Sequence, residues 1–186
     1  EYTEGIGAAL PVAADITRDG FTFAGWYDNA SLTGSAVTVI TAADTGHKQY
    51  WAKWTGNIYV VTLNTNGGSI AAGADVTTYN AGTGAVLPVA ADMTKSGYTF
   101  AGWYDNASLS GSAVTAITAA DIGPKTYWAK WTENGYSVTL HANGGTIAAG
   151  KDVTYYIAGT GAQLPAAPDI YKNESSPAGC TFAGWY

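Results

Sequence analysis

The stretch "IYVVTLNTNGG" (58–68) sets Tyr59, Val61 and Leu63 against Val60, Thr62 and Asn64. That alternation is the two-residue period of a half-buried strand. Asn66-Gly67-Gly68 then supplies a turn, because Asn and Gly tolerate positive φ. "ADVTTYNAG" (74–82) reads as the returning strand, ended by Gly82. In "GAVLPVAADMTKSG" (84–97) Pro88 marks a helix start and Gly97 its stop, which predicts a short helix or 3₁₀ turn. "YTFAGWY" (98–104) predicts a central strand with a bulge at Gly102 that re-aims Trp103. "DNASLSGS" (105–112) is a turn, "VTAITAADIG" (114–123) includes a helical turn capped by Thr118, and "TYWAKWT" (126–132) closes the series as a strand.

The same series recurs along the chain. Trp26 returns as Trp103, Trp51 and Trp54 as Trp128 and Trp131, and Pro11 as Pro88 and Pro165, each at a step of 77 residues. Residues 5–57 and 82–134 align without a gap, and their differences are mostly conservative, such as Phe21 for Tyr98 or Arg18 for Lys95. The third tryptophan, Trp185, comes five residues late because "KNESSPAGCTF" (172–182) replaces "KSGYTF" (95–100), which reads as a lengthened surface turn. Self-similarity at this period predicts small domains in tandem. The phasing that fits is a partial repeat over 1–57 lacking its first strand, a complete repeat over 58–134, and a partial repeat over 135–186 lacking its last strand. Strand, strand, short helix, strand, strand predicts a β-rich α+β fold with the outline of a β-grasp domain.

"NTNGG" (64–68), "GYTFAGWY" (97–104) and "YWAKW" (127–131), in that order, resemble the Listeria–Bacteroides repeat, an internalin B-repeat-like module of bacterial surface proteins. The resemblance covers essentially the whole chain. It implies tandem ubiquitin-like β-grasp repeats exposed at the cell surface, acting as spacers or interaction modules, with no catalytic residues attached to the motifs. Two departures stand out: the family's Leu-Tyr-Ala-Lys-Trp ending reads Tyr-Trp-Ala-Lys-Trp, and Asn64 gives way to His141.

Charge and composition narrow the function further. Eight basic residues against 14 acidic ones give a net charge of −6, and without a basic cluster this argues against nucleic acid and anionic membrane surfaces. No apolar run approaches the roughly 18 residues a membrane helix needs, so membrane insertion of this segment is not expected. The chain opens on Glu1 rather than Met, which reads as a fragment or mature segment. A single cysteine, Cys180, excludes an internal disulfide framework and, standing where Tyr98 stands in the second copy, reads as a buried apolar thiol. A Gly-, Ala-, Thr- and Tyr-rich chain poor in Lys and Glu leans extracellular, at the cell surface or secreted.

The candidate residues follow. Phe23, Trp26, Trp54, Phe100, Trp103, Trp131, Phe182 and Trp185 are expected in the core, since small domains need large aromatics to bury enough area. Trp51 and Trp128 fall on the opposite strand face and are the candidate binding residues, for a glycan or a host or matrix protein. Asn29, Asn106 and Asn173 head N-x-S tripeptides and are possible glycosylation sites. The Asp28-Asn29 and Asp105-Asn106 pairs lack the ligand spacing of a calcium site and read as Asx turns. Lys53 and Lys130 read as snorkelling strand lysines rather than isopeptide donors. No metal-ligand spacing or catalytic triad is visible, so neither a cofactor nor an enzymatic reaction is expected. Expected partners are the neighbouring repeats, and copies of the chain itself if unfinished strand edges pair into a filament.

Overall fold

The computed structural model describes residues 1–172 and 181–186, so Asn173 and Cys180 lie outside the described residues. Eight strands carry the architecture: β1 (Phe21–Tyr27), β2 (Trp51–Gly56), β3 (Ile58–Asn64), β4 (Thr78–Asn80), β5 (Tyr98–Tyr104), β6 (Lys125–Glu133), β7 (Gly135–Ser137) and β8 (Tyr155–Ile157). Two-residue and three-residue ladders accompany them.

The middle of the chain forms a four-stranded sheet in the order β5-β6-β3-β4. β6 runs parallel to β3, with Lys125 opposite Val61 and Trp128 opposite Asn64. It runs antiparallel to β5, and β3 pairs antiparallel with β4. The strand expected at the centre of the sheet, β5, therefore lies at its edge. The centre goes to β3 and β6. Tyr127 and Ala129 of β6 are almost fully enclosed.

One face of this sheet holds the core: Val61, Tyr79, Leu87, Met93, Trp103, Ile117, Tyr127 and Ala129. Size complementarity is visible in the register. Trp103 sits opposite Ala129, and in the N-terminal segment Trp26 sits opposite Ala52. The expected bulge is present, with the β5–β6 register slipping between Phe100 and Gly102. Gly102 adopts φ 120° there, a conformation that side-chain-bearing residues rarely adopt. The slip puts Phe100 and Trp103 on the same face.

Helix is nearly absent among the described residues, which corrects the α+β expectation to a β-rich fold. The segment after Pro88 makes only a three-residue 3₁₀ turn, Ala90–Asp92, closed by the Val89 N–H donating to Asp92 Oδ2. Met93 and Thr94, which a helix would have consumed, pair instead with Ser69 and Ile70. A matching turn, Ala167–Asp169, lies in the C-terminal segment. The helical turn expected at Thr118 is likewise absent. Asp121 Oδ2 accepts from both the N–H and the hydroxyl of Thr118, making a side-chain-closed turn without helical continuation.

The N-terminal segment repeats the β5–β6 pairing as β1–β2, bulge included. In the C-terminal segment β7 pairs with β8, but residues 181–186, expected as a strand, make no ladder. β5 is a strand because β6 lies beside it, and no described strand lies beside 181–186 to supply the same hydrogen bonds.

Candidate functional site

Two regions recur in the molecule with the same residues in the same contacts: the joints between successive segments, and a groove at the entry to β2 and β6.

At the first joint a single residue, Asn57, connects β2 to β3. Its N–H donates to the Gly20 carbonyl at 2.9 Å, and its own carbonyl accepts from the Ala81 N–H at 3.0 Å. Its side-chain Oδ1 accepts from the Thr22 hydroxyl at 2.7 Å. Asn134 does the same between β6 and β7. Its N–H reaches Gly97 O at 2.9 Å, its carbonyl receives the Ala158 N–H at 2.9 Å, and its Oδ1 accepts from Thr99 at 2.7 Å. Each linker residue is thus hydrogen-bonded backward and forward at once. Packing closes the same points. A Cβ on Gly20 would stand 2.4 Å from Ile122 Cγ2, and one on Gly97 would stand 2.7 Å from Ala158 Cβ. Backbone groups bonded on both sides leave the linker little freedom to swing.

The groove lies where the strand meets the Asp-Asn turn. In the middle segment Asp105, Val114, Thr118, Asp121, Lys125 and Trp128 line it, enclosing about 520 Å³. In the N-terminal segment Asp28, Val37, Asp44, Lys48 and Trp51 line its counterpart of about 470 Å³. Lys125 pairs with Asp121, and Lys48 with Asp44. The lysine ammonium, then the threonine hydroxyl and N–H, hold the carboxyl of Asp121 down to about 2, and Asp44 is held at about 2 in the same way. Both lysines are raised in return by the carboxylate beside them.

The expected core residues divide. Trp103 is buried at 1% exposure, while Phe23, Trp26, Trp54, Phe100, Trp131, Phe182 and Trp185 are half-buried. They form edge-to-face groups: Phe23 lies 5.5 Å from Trp26 and from Trp54, Phe100 lies 5.5 Å from Trp103 and 5.4 Å from Trp131, and Phe182 lies 5.2 Å from Trp185. One polar contact recurs in all three segments. The indole N–H groups of Trp26, Trp103 and Trp185 donate to the carbonyls of Pro11, Pro88 and Pro165. Asn29 and Asn106 are the hubs of their turns. Asn106 Nδ2 donates to Asp105 Oδ1 and Ser110 O, and its Oδ1 accepts from Ser108 and Ser110; Asn29 does likewise with Asp28, Ser31 and Thr33. The amide nitrogen that a glycan would modify is therefore already shared between two acceptors. Among the described residues no cluster of His, Cys, Asp and Glu could hold a metal ion.

The sequence matches the Listeria-Bacteroides repeat domain over residues 1–49, 59–130 and 136–186. The chain belongs to this family. A protein of Evansella cellulosilytica named as a Gly-rich membrane protein is 31% identical to it over 97% of the chain and 19% of the relative's length. Internalin H of Listeria monocytogenes is 31% identical over 63% of the chain and 20% of its own length. The chain therefore spans about a fifth of these relatives. No solved structure matches it significantly. None of the described helices is long and apolar enough to cross a membrane.

Within this Listeria-Bacteroides repeat chain, the motifs that mark the family build the sheet: "TFAGWY" supplies the bulge and the tryptophan anchored to proline, and "YWAKW" supplies β6. The shortness of the linkers, which limits bending, is legible in the sequence; the clasp at each joint is not, because an Asn between two strands reads as an ordinary linker. A signal was present, since Gly20, Asn57 and Ala81 recur together as Gly97, Asn134 and Ala158.

Proposed function

We propose that this chain is a non-catalytic, load-spanning segment: tandem β-grasp units, repeating at 77 residues, that form a stalk or fibre section of a bacterial cell-surface or secreted protein. The observation that carries this reading is the identical three-bond clasp at Asn57 and Asn134. A flexible tether needs no such contacts, whereas a spacer that must hold its ends apart needs every joint fixed alike. The sheet order, with parallel first and last strands at the centre, supports the β-grasp reading. The relatives named as membrane proteins and as an internalin support a surface setting.

Each unit of this size is about 30 Å across, from the scaling of compact domains with length. Solution scattering of the chain is expected to show an elongated particle whose cross-section stays at that of one unit. A compact particle, or one whose profile fits only freely jointed beads, would rule the spacer out.

A further inference from the structure

The paired grooves beside Trp51 and Trp128 are built alike in two segments, and nothing in the spacer reading uses them. Four other tryptophans, Trp26, Trp103, Trp131 and Trp185, spend their indole N–H on a backbone carbonyl. Among the described residues, the indole N–H groups of Trp51, Trp54 and Trp128 have no such partner, and of these Trp51 and Trp128 line the grooves. Trp51 is 36% exposed, and Trp128 is half-buried. A carboxylate acceptor stands on the same groove: Asp105 and Asp28 each commit only Oδ1, to Asn106 and Asn29, and leave Oδ2 free. Each groove thus offers an apolar ring face flanked by one unused donor and one unused acceptor.

Charge then selects the ligand. The carboxylates of Asp121 and Asp44 are already neutralised by Lys125 and Lys48. Lys130 and Lys53 lie two residues on along the same strand face, over the rings of Tyr104 and Tyr27 at 4.9 Å. Within each groove two carboxylates face one ammonium group, and the second lysine is held outside the lining against its tyrosine ring and a leucine carbonyl. Such a surface has no net attraction for a polyanion, and the molecule's net charge of −6 repels one. A cationic peptide would find only one carboxylate uncommitted. A neutral pyranose fits better, since its C–H face stacks on an indole while its hydroxyls both donate and accept.

We propose that the Trp51 and Trp128 grooves are a pair of binding sites for a neutral polysaccharide, one per unit along the array. Two weak sites on one stiff support bind a long chain more tightly than either does alone, because the second contact is made at high effective concentration.

The test follows the indole N–H resonances of the intact chain during titration with soluble hexasaccharides of β-1,4-linked glucose and of β-1,4-linked N-acetylglucosamine. The expected result is saturable movement of the Trp51 and Trp128 signals with one or both sugars, the other five indoles staying in place. Trp51→Ala and Trp128→Ala should each remove one site. Either should weaken binding of the corresponding long polymer about tenfold or more, by loss of the second contact, while backbone amide dispersion stays unchanged. The proposal is overturned if neither sugar moves these signals, if the double variant binds as well as the native chain, or if only an Arg- and Lys-rich peptide shifts them.

Discussion

Single residues in this chain take roles that their chemistry fixes and their position makes consequential. Asn106 satisfies five hydrogen bonds within a six-residue turn, while Leu109 beside it is held at φ 53°. Asn106→Ala removes all of those bonds at once and is expected to cost about 1–3 kcal/mol, the range for disrupting a hydrogen-bonded network, read as a lower denaturant midpoint. Asp121 gives a pH signature. Its carboxyl is depressed to about 2 by Lys125 and Thr118, so the unfolded chain binds its proton first as pH falls. The stabilisation is full above the unfolded value of about 4 and is lost as pH drops through about 2. Asp44, shifted the same way, adds to the slope. Stability measured from pH 4.5 down to pH 2 should therefore decline, and Asp121→Asn should flatten part of that decline. An unchanged slope in the variant would remove Asp121 from this role.

At the scale of elements, the governing fact is that β6 is inserted between the first strand of its unit and β5. Gly68, in the turn after β3, shows how tight the fit is. A Cβ there would stand 2.1 Å from Trp131 Cζ2, and Trp131 also donates its indole N–H to Thr65 O at 2.8 Å. Gly68→Ala is expected to destabilise the middle segment by about 1–3 kcal/mol, the range for overpacking, whereas Gly135→Ala, with no atom near the new Cβ and no positive φ, should cost less. Trp103→Ala is more severe. It empties the centre of the core and abandons Pro88 O, so a loss of about 3–5 kcal/mol is expected from large-to-small substitution, enough to unfold a marginal unit in a thermal melt.

Sequence reasoning reached the elements built from local pattern: the alternation of β3, the Gly102 bulge, the Asn-Gly-Gly turn and the Asp-Asn turns all stand where the residues place them. What it misplaced depends on distant partners. β5 looked central because its aromatic run is the densest, yet its neighbours on the sheet are decided by β6, some thirty residues later. After Pro88 the residues allow a short helix or a 3₁₀ turn, and the 3₁₀ turn Ala90–Asp92 forms, because Met93 and Thr94 pair instead with Ser69 and Ile70. The segment 181–186 carries the same letters as β5 but no neighbouring strand, so the same sequence has no ladder. In the grooves, Trp51 and Trp128 were legible from strand alternation, but their lysine and aspartate neighbours were not, because turns bring them together.

For the whole molecule, the claim that matters is that the units are locked to one another. The joint residues sit in backbone bonds that point both ways, and the flanking glycines admit Ile122 and Ala158 at distances where a side chain would collide. Units joined this way transmit orientation from one to the next, which is what the proposed stalk requires. The most direct measurement is the spin-label distance across the first joint, with labels on cysteines placed at Ser35 and Ser112, both exposed and one repeat apart, in a chain carrying Cys180→Ser. A single narrow distance distribution is predicted, and insertion of a Gly-Gly-Ser spacer after Asn57 should broaden it. A distribution already as broad in the unmodified chain as in the spacer variant would contradict the fixed joint, and with it the stalk.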